Sequence, residues 1–334
     1  MPTPRTAGPF AGFLLVCAAL VMPLVAAAAE PDTAAAWFAR MQQALSHQSY
    51  RGVVVYMGNG APETYRLIVS RGQYALIGAL TGPARQIVRG PNAVVRLLPD
   101  GSTMVVRGMS GETSPLPFPP ASQIKASALE SSYRLQLGGS SRVAGEAAQI
   151  LDIVPRDQWR YGYRIWIGRD SGLLLRSQLV SSDGQELQQS FFTQLQLMPA
   201  PAAESAIGAK ALALVNNAGV DKNVSDGACV DTGEAAMTFK DLPPGFHVLK
   251  TVCENAPGAA APVTHVLISD GLAVVSLFAA VHHAGGDALV GVTALGAVHA
   301  AGRLQGGFAL TAMGDAPLAT VSRIVHSPVT TGGH

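Results

Sequence analysis

The chain has 334 residues, of which 23 are Lys or Arg and 22 are Asp or Glu, so its formal net charge is +1. Charged residues make up 13% of the sequence and apolar residues 48%, a composition that excludes a disordered, highly charged protein. The near-zero net charge gives no electrostatic reason to expect nucleic acid as a partner. The length suits two domains, each large enough to bury a core of its own.

Residues 1–29 are predicted to be a cleaved secretory signal peptide. A single charge, Arg5, precedes an apolar run from Phe10 to Val25, and Ala26–Ala29 provide a small-residue cleavage site. A retained membrane anchor is the alternative, but the run is shorter than the roughly 20 residues that span a bilayer, and Pro23 interrupts it. We therefore expect an exported, periplasmic protein.

Export would leave two cysteines in the mature chain, Cys229 and Cys253, because Cys17 would depart with the signal peptide. In an oxidising compartment an isolated pair favours a disulfide. Two buried free thiols are the alternative. The spacing of the pair is not that of a metal site.

Residues 30–198 are predicted to form one domain that is rich in strands. Asp32 or Thr33 can cap a first helix, which runs to about His47 with an apolar stripe at three- and four-residue spacing. Ten short strands with turn signals between them leave no room for the crossovers of a parallel sheet, so we expect a curved antiparallel sheet. The predicted strands are Tyr50–Met57, Glu63–Ser70, Gln73–Gly78, Gln86–Arg89, Ala93–Leu98, Thr103–Arg107, Ala147–Val154, Tyr161–Ile167, Leu173–Val180 and Glu186–Leu197.

The Pro-rich stretch Pro115–Pro120 interrupts this pattern and is expected to begin a loop or a short second helix at about Ser122–Glu130. An insertion of this length suits a lid, and a plain surface loop is the alternative. Residues 199–240 are interpreted as a linker and an irregular segment, since they are rich in Pro and Ala at the start and have no clear periodicity later.

Residues 241–334 are predicted to form a small α+β domain. It would close with a helix that has Asp315 as its cap and Pro317 in its first turn. Its predicted strands are Phe246–Glu254, Thr264–Ser269, Ala273–Val281, Ala294–His299 and Phe308–Ala312.

Catalytic and metal-binding patterns are weak throughout. Ser171 lies in an Asp-Ser-Gly turn, where such residues are common without any nucleophilic role. The adjacent His282 and His283, with Asp287, could in principle hold a metal, but neighbouring side chains point apart. No nucleotide-binding or zinc-protease motif occurs. The sequence therefore indicates a binding protein that is not an enzyme and needs no cofactor or metal.

Several predicted strands are apolar on both faces, which means that both faces are covered or that one lines a cavity. Simple burial of each face is the alternative for any one residue. Our hypothesis is a ligand cavity lined by side chains of the first, second and eighth strands. These are Val53, Val55, Leu67, Val69, Ile165 and Ile167.

Seven blocks of this sequence resemble the RseB/MucB family, whose members are periplasmic regulators of an envelope-stress sigma factor. The most specific are Arg-Tyr-Gly-Tyr-Arg at 160–164 and Ser-Asp-Gly-Leu-Ala at 269–273. The blocks are Ser49–Tyr56, Tyr65–Leu67, Val154–Ile167, Gly172–Ser177, Leu242–Phe246, His265–Phe278 and Ala316–Val321.

The resemblance implies an N-terminal domain like the lipoprotein carriers LolA and LolB, an unclosed antiparallel β-barrel with helices on its concave side, followed by a smaller C-terminal α+β domain. It implies a protein that binds the periplasmic segment of a membrane anti-sigma factor and shields it from proteolysis. Lipid A or lipoprotein acyl groups would release that segment. An acyl carrier without an anti-sigma partner is the alternative function, and homo-oligomerisation stays open. The family supplies no catalytic residues.

Overall fold

The structure is a computed structural model that describes Met1 and residues 33–58, 60–91, 93–97, 103–107, 129–218, 237–254, 262–282 and 288–329. The expected signal peptide, the segment Pro115–Pro120, most of the expected helix Ser122–Glu130, and Cys229 lie outside these ranges. Among the helices that are described, none has both the length and the apolar character needed to cross a membrane.

Helix α1 (Ala34–His47) begins as the sequence predicts. Thr33 is its N-cap, and the side-chain hydroxyl of Thr33 accepts a hydrogen bond of 3.2 Å from the backbone N–H of Ala36. The apolar stripe turns toward a sheet, where Phe38 and Met41 are fully buried. Helix α1 is thus held by the burial of one face rather than by its own propensity.

The large sheet contains eleven antiparallel strands. They are β1 (Tyr50–Met57), β2 (Glu63–Ser70), β3 (Tyr74–Ala79), β4 (Gln86–Arg89), β5 (Ala93–Leu97), β6 (Thr103–Arg107), β7 (Tyr133–Val143), β8 (Glu146–Pro155), β9 (Gly162–Gly168), β10 (Leu174–Val180) and β11 (Glu186–Leu197). Their spatial order is β6-β5-β4-β3-β2-β1-β11-β10-β9-β8-β7. In the described residues the sheet does not close, because β6 and β7 each pair with one strand only.

The large sheet curls, and its two faces are covered differently. Strands β7 and β11 stand four positions apart in the order, yet their residues come into contact. We call the face that packs on α1 the inner face; Leu151, Ile153 and Ile165 are fully buried there with Phe38 and Met41. The opposite, outer face carries an apolar patch on strands β2, β4 and β5, formed by Ile68, Val88 and Val95.

Two further helices cover the outer patch. Helices α2 (Ala200–Ile207) and α3 (Ala209–Ala218) bury Ala203, Ile207 and Val215 against it. Here the interpretation of residues 199–240 as a linker and an irregular segment is wrong for its first half. A composition rich in Pro and Ala is typical of a linker, but Pro201 stands in the first turn of α2, where proline favours a helix, and alanine is the best helix former.

The smaller sheet has six antiparallel strands, and helix α4 (Leu318–His326) packs on one of its faces. The strands are β13 (His247–Glu254), β14 (Val263–Ser269), β15 (Val274–Val281), β16 (Gly291–Leu295), β17 (Val298–Gln305) and β18 (Phe308–Asp315). Their spatial order is β13-β14-β15-β18-β17-β16, and a separate short pair joins β12 (Thr238–Phe239) to β19 (Pro328–Val329). The architecture confirms the predicted fold class, a mainly β protein with an unclosed antiparallel sheet and a smaller α+β domain.

Two local predictions in the smaller domain are wrong. The expected strand Ala294–His299 spans the turn of a hairpin, since Gly296 has a φ of 62° and separates β16 from β17. Asp315 does not cap the last helix: it ends β18, and Pro317 is the N-cap of α4. Asp315 instead faces the large sheet.

Candidate functional site

An open groove lies on the outer face of the large sheet, between strands β2–β5 and helix α2. Its volume is about 520 Å³. Its lining combines aliphatic side chains with two arginines: Arg66, Ile68, Leu76, Gly78, Ala79, Leu80, Ala84, Arg85, Gln86, Leu97 and Ala206. We call it the outer groove; its size and apolar floor suit a flexible apolar chain.

Strand register explains where the outer groove lies. Val53 pairs with Arg66, Arg66 with Gly78, Gly78 with Gln86, and Gln86 with Leu97. Directly opposite residues of antiparallel strands share a face, so this row runs across the outer face. Gly78 has no side chain, and a Cβ at this position would meet no atom within 4 Å. The missing side chain leaves open space in the middle of the row.

The two arginines of the outer groove differ in availability. Nη2 of Arg85 lies 2.8 Å from Oε1 of Glu63 at an exposed position. The hydroxyl of Tyr65 also donates to Glu63, and this bond, with the contribution of Arg85, lowers the pKa of the Glu63 carboxyl. Within the described part of the chain, Arg66 forms no hydrogen bond or ion pair. The guanidinium of Arg66 is therefore available to a phosphate or carboxylate at the groove.

The six side chains predicted to line one cavity are divided between two faces. Val53 and Val55 lie on the outer face, in register with Arg66 and Thr64, so Val53 belongs to the row that crosses the outer groove. The other four lie on the inner face and are buried in packed cores with α1: Leu67, Val69, Ile165 and Ile167. The six do not surround one space, and a ligand-binding role for them stays a prediction.

The other candidate residues are only partly visible. Cys253 lies in β13, but its proposed partner Cys229 is outside the described ranges, so their pairing stays a prediction. His283 and Asp287 are outside those ranges too. Ser171 behaves as a turn residue: its Oγ accepts from the backbone N–H of Leu173 at 3.1 Å, and its own N–H donates to Glu146.

A buried ion pair joins the two sheets. Arg160, in the turn between β8 and β9, is 1% exposed, and its Nη1 lies 2.5 Å from Oδ2 of Asp270, whose side chain is fully buried. Asp157 accepts from Nε of Arg160 at 2.9 Å. The guanidinium also lies over the rings of Tyr133 and Phe246, at 5.5 and 5.2 Å from their centroids. Every part of this buried cation therefore has a partner.

The turn that carries Asp270 also delivers an apolar side chain to the large sheet. Leu272 is 1% exposed and packs, with Ala297, in the same core as α1 and the inner face. Oδ1 of Asp270 accepts from the backbone N–H groups of Leu272 and Ala273, which fixes the turn. We call these contacts, with the ion pair, the domain interface. The two most specific sequence blocks, 160–164 and 269–273, meet there.

Family models and individual relatives point to the same family. The model of the MucB/RseB N-terminal domain matches residues 33–211, and that of the MucB/RseB C-terminal domain matches residues 231–329. The sigma factor AlgU regulatory protein MucB of Pseudomonas aeruginosa is 32% identical over 324 residues, which cover 94% of this chain and 95% of that protein. The sigma-E factor regulatory protein RseB of Haemophilus influenzae is 25% identical over 303 residues, 90% of this chain and 92% of that protein.

Solved structures extend the likeness to the fold. A crystal structure of MucB in complex with MucA(peri) has a TM-score of 0.64 and 28% identity, and the match covers 90% of this chain and 100% of that one. A crystal structure of MucB has a TM-score of 0.62 and 29% identity, and the match covers 89% of this chain and 98% of that one. Both sheets are therefore included in the similarity.

Proposed function

The chain belongs to the MucB/RseB family, and from this we propose that it is a periplasmic regulator that binds the periplasmic segment of a membrane anti-sigma factor. In this proposal the bound segment is shielded from regulated proteolysis, and acyl groups of lipid A or of lipoproteins cause its release. The observation that carries the first part is the likeness, along nine-tenths of the chain, to a MucB that was crystallised with MucA(peri).

An exposed edge of the smaller sheet supports the binding of an extended segment. All five residues of β16 are exposed, and the strand and its approach carry the apolar side chains Val290, Val292 and Leu295 at 68%, 58% and 72% exposure. Edge strands usually carry charges or proline that prevent further pairing, and β16 has neither. We propose that the anti-sigma segment adds to β16 as a strand, since strand addition holds a peptide by its backbone.

Strand addition would also account for shielding. A protease takes its substrate in extended form with the backbone groups free, whereas a segment paired with β16 has one side of its backbone already hydrogen-bonded. The opposite edge strand, β13, includes a charged residue, Lys250, and a charge on an edge strand discourages further pairing. Of the two edges, β16 is the one open to a strand.

The first experiment measures binding of the purified mature chain to the periplasmic segment of the MucA-type anti-sigma factor from the same organism. We expect saturable binding by calorimetry and slower cleavage of the segment by the first regulatory protease. Leu295→Lys should weaken binding about tenfold, because a charge at the edge opposes strand addition and an apolar contact is lost. Leu249→Lys, at an exposed leucine of β13 (55% exposure), is the matched control and should bind normally. Unsaturable binding by the unaltered chain would contradict the proposed partner, and equal losses in both variants would contradict the proposed edge.

The outer groove supports the proposed acyl signal. Its aliphatic floor can receive an acyl chain, and Arg66 can bind the phosphate or carboxylate of an anionic amphiphile. A ligand there releases the anti-sigma segment only if the two ligands favour different arrangements of the protein, and the coupling must then be reciprocal. The segment should therefore weaken acyl binding by the same factor by which the acyl ligand weakens binding of the segment.

Filling the outer groove from its floor should remove the acyl response alone. Gly78→Leu places a side chain in space that is empty, and it replaces a glycine of a strand by a residue with a higher strand propensity, so the fold should persist. We expect purified lipid A to bind the variant at least tenfold more weakly, while the anti-sigma segment binds with unchanged affinity. Binding of deacylated lipid A, measured in the same way, separates the contribution of the acyl chains from that of the phosphates.

The matched control is Gly139→Leu, the same change at an exposed position of β7 where a Cβ also meets no atom within 4 Å. This variant should respond to lipid A as the unaltered chain does. Normal lipid A binding by the Gly78 variant would overturn the outer groove as the acyl site and leave the proposed anti-sigma partner intact.

A further inference from the structure

Asp315 is a carboxylate at the junction of the two sheets, and among the described residues no cation lies beside it. It ends β18 of the smaller sheet, and its Oδ2 lies 3.4 Å from Nε2 of Gln188 on β11 of the large sheet. Its Oδ1 is buried and has no hydrogen-bond partner in the part of the chain that the structure describes. None of the ion pairs formed in the described ranges includes Asp315. An ionised carboxylate in this position is poorly compensated.

The titratable groups of the large sheet that face Asp315 are three tyrosines. The hydroxyl of Tyr56, on β1, donates to Oε1 of Gln188 at 2.8 Å, so Tyr56, Gln188 and Asp315 form a chain. Tyr161, just before β9, and Tyr163, the second residue of β9, are the other two. Burial raises the pKa of all three tyrosines, and the negative charge of Asp315 raises it further, so they stay neutral.

From the smaller sheet the titratable neighbour is His299 on β17. Its Nδ1 lies 2.9 Å from the carbonyl oxygen of Ala316, to which an N–H there donates, and 3.4 Å from the hydroxyl of Tyr161. Asp270 acts on Tyr163 from the same side and is itself paired with Arg160. The surroundings of Asp315 in the described structure therefore offer one neutral amide donor and no Lys or Arg.

We propose that Asp315 is a proton-operated latch between the two sheets: its protonation strengthens the docking of the smaller sheet on the large sheet, and loss of the proton weakens it. The latch is a property of the chain alone and goes beyond the binding function. Protonation removes the uncompensated charge and leaves the hydrogen bond from Gln188 in place. Docking then depends on pH through one carboxyl group.

The direction follows from linkage. Burial raises the pKa of Asp315 above its usual value of 3.8, and the hydrogen bond from Gln188 offsets this in part. A group that binds its proton more tightly in the docked chain than in the unfolded chain stabilises docking most at a pH below the unfolded pKa. This contribution is lost as the pH rises through the higher pKa of the docked chain. Acidification from neutral pH should therefore tighten the domain interface.

The test is Asp315→Asn in the full mature chain, which keeps the size of the side chain and removes its charge. We expect the urea midpoint of the variant to lie above that of the unaltered chain at pH 8 and to coincide with it near pH 4. Hydrogen exchange should place the effect at the interface. In the unaltered chain, protection of residues 271–273 and 296–300, corrected for the intrinsic rate, should fall as the pH rises from 4 to 8, and in the variant it should not.

Two controls identify the group. His299→Gln should keep the pH dependence of the unaltered chain, since the latch is assigned to the carboxyl group. Asp183→Asn should show the opposite sign, a midpoint below that of the unaltered chain at pH 8, because a hydrogen bond from Ser181 lowers the pKa of this exposed carboxyl. Loss of the pH dependence in the His299 variant would overturn the proposal.

Other results would also overturn it: an Asp315 variant that is less stable than the unaltered chain at pH 8, or pH-dependent exchange that is as large in β14 as at the interface. If the Asp315 variant does not fold, a direct titration of Asp315 in the unaltered chain tests the proposal instead. The NMR signal of the Asp315 carboxyl carbon in the unaltered chain should titrate above 3.8, and a midpoint at or below that value contradicts the latch.

Discussion

Arg160→Met is expected to lower the free energy of unfolding by about 3–5 kcal/mol, the cost of leaving one partner of a buried ion pair behind. The side chain of Asp270 is fully buried, and Arg160 is the cation that pairs with it. Methionine fills much of the volume of the arginine stem, so the loss comes mainly from the abandoned charge. The rings of Tyr133 and Phe246 lose their cation as well.

Urea unfolding at constant pH measures this loss, and Arg164→Met is its matched control. Arg164 belongs to the same sequence block and pairs with Asp152, but its side chain is 51% exposed, so the control should cost less than about 1 kcal/mol. Adding Asp270→Asn to the Arg160 variant should restore part of the stability, because the unpaired charge is removed while Oδ1 can still accept from the turn. Equal losses in the two arginine variants would show that the pair contributes no more than a surface pair.

Leu272→Ala is expected to cost about 2–5 kcal/mol, the range for truncating a buried leucine. Unlike most core leucines, Leu272 belongs to a turn of the smaller sheet and is buried in the core of the large one, among Phe38, Met41 and the inner face. The cavity therefore opens at the contact between the domains. We expect calorimetry to show two separated transitions in the variant and a single one in the unaltered chain.

Leu310→Ala is the control for this prediction. Leu310 is fully buried within the smaller sheet itself, where it packs with the residues of α4. Its truncation should cost a similar free energy. The loss should lower the stability of the smaller domain, while Leu272 still packs against the large sheet. A single transition in the Leu272 variant would mean that the remaining contacts at the domain interface are enough to couple the domains.

Much of the fold can be predicted from local signals. The limits predicted for β1, β2, β4, β6 and β11 agree with the structure, because each contains β-branched or aromatic residues and is bounded by turn residues. Strand β7 was missed, since Gly138, Gly139 and two serines give it the composition of a loop. Strand β7 forms despite that composition because it pairs with β8 and packs near α1.

The candidate site could be predicted only in part. Alternation within β1 and β2 separates two sets of side chains, but it does not say which set of one strand shares a face with which set of the other. The pairing of Gly52 with Leu67 decides this, and it puts Val53 and Leu67 on opposite faces. The outer groove depends on a side chain that is absent at Gly78, which no apolar pattern reveals.

The domain interface has a similar explanation. Arg160 and Asp270 stand 110 residues apart, so their contact exists only after both sheets have formed. Their blocks were recognised by resemblance, without any physical reason for the specific residues. The structure supplies that reason: an arginine and an aspartate that can be buried only together.

The place of β1 in the large sheet has a consequence for how the chain is made. One edge of β1 pairs with β2, the next strand along the chain, but the other pairs with β11, and Arg51 bonds to a side chain 145 residues further on. During synthesis from the N-terminus, β1 therefore shows a bare edge until Glu186–Leu197 is available. The pairing of β1 with β11 joins strands β1–β6 to strands β7–β11. Because it closes a long loop, it carries a large entropy cost and should be slow. A nascent or truncated chain that stops before β11 presents an adhesive edge, which makes it a natural client for a holdase chaperone.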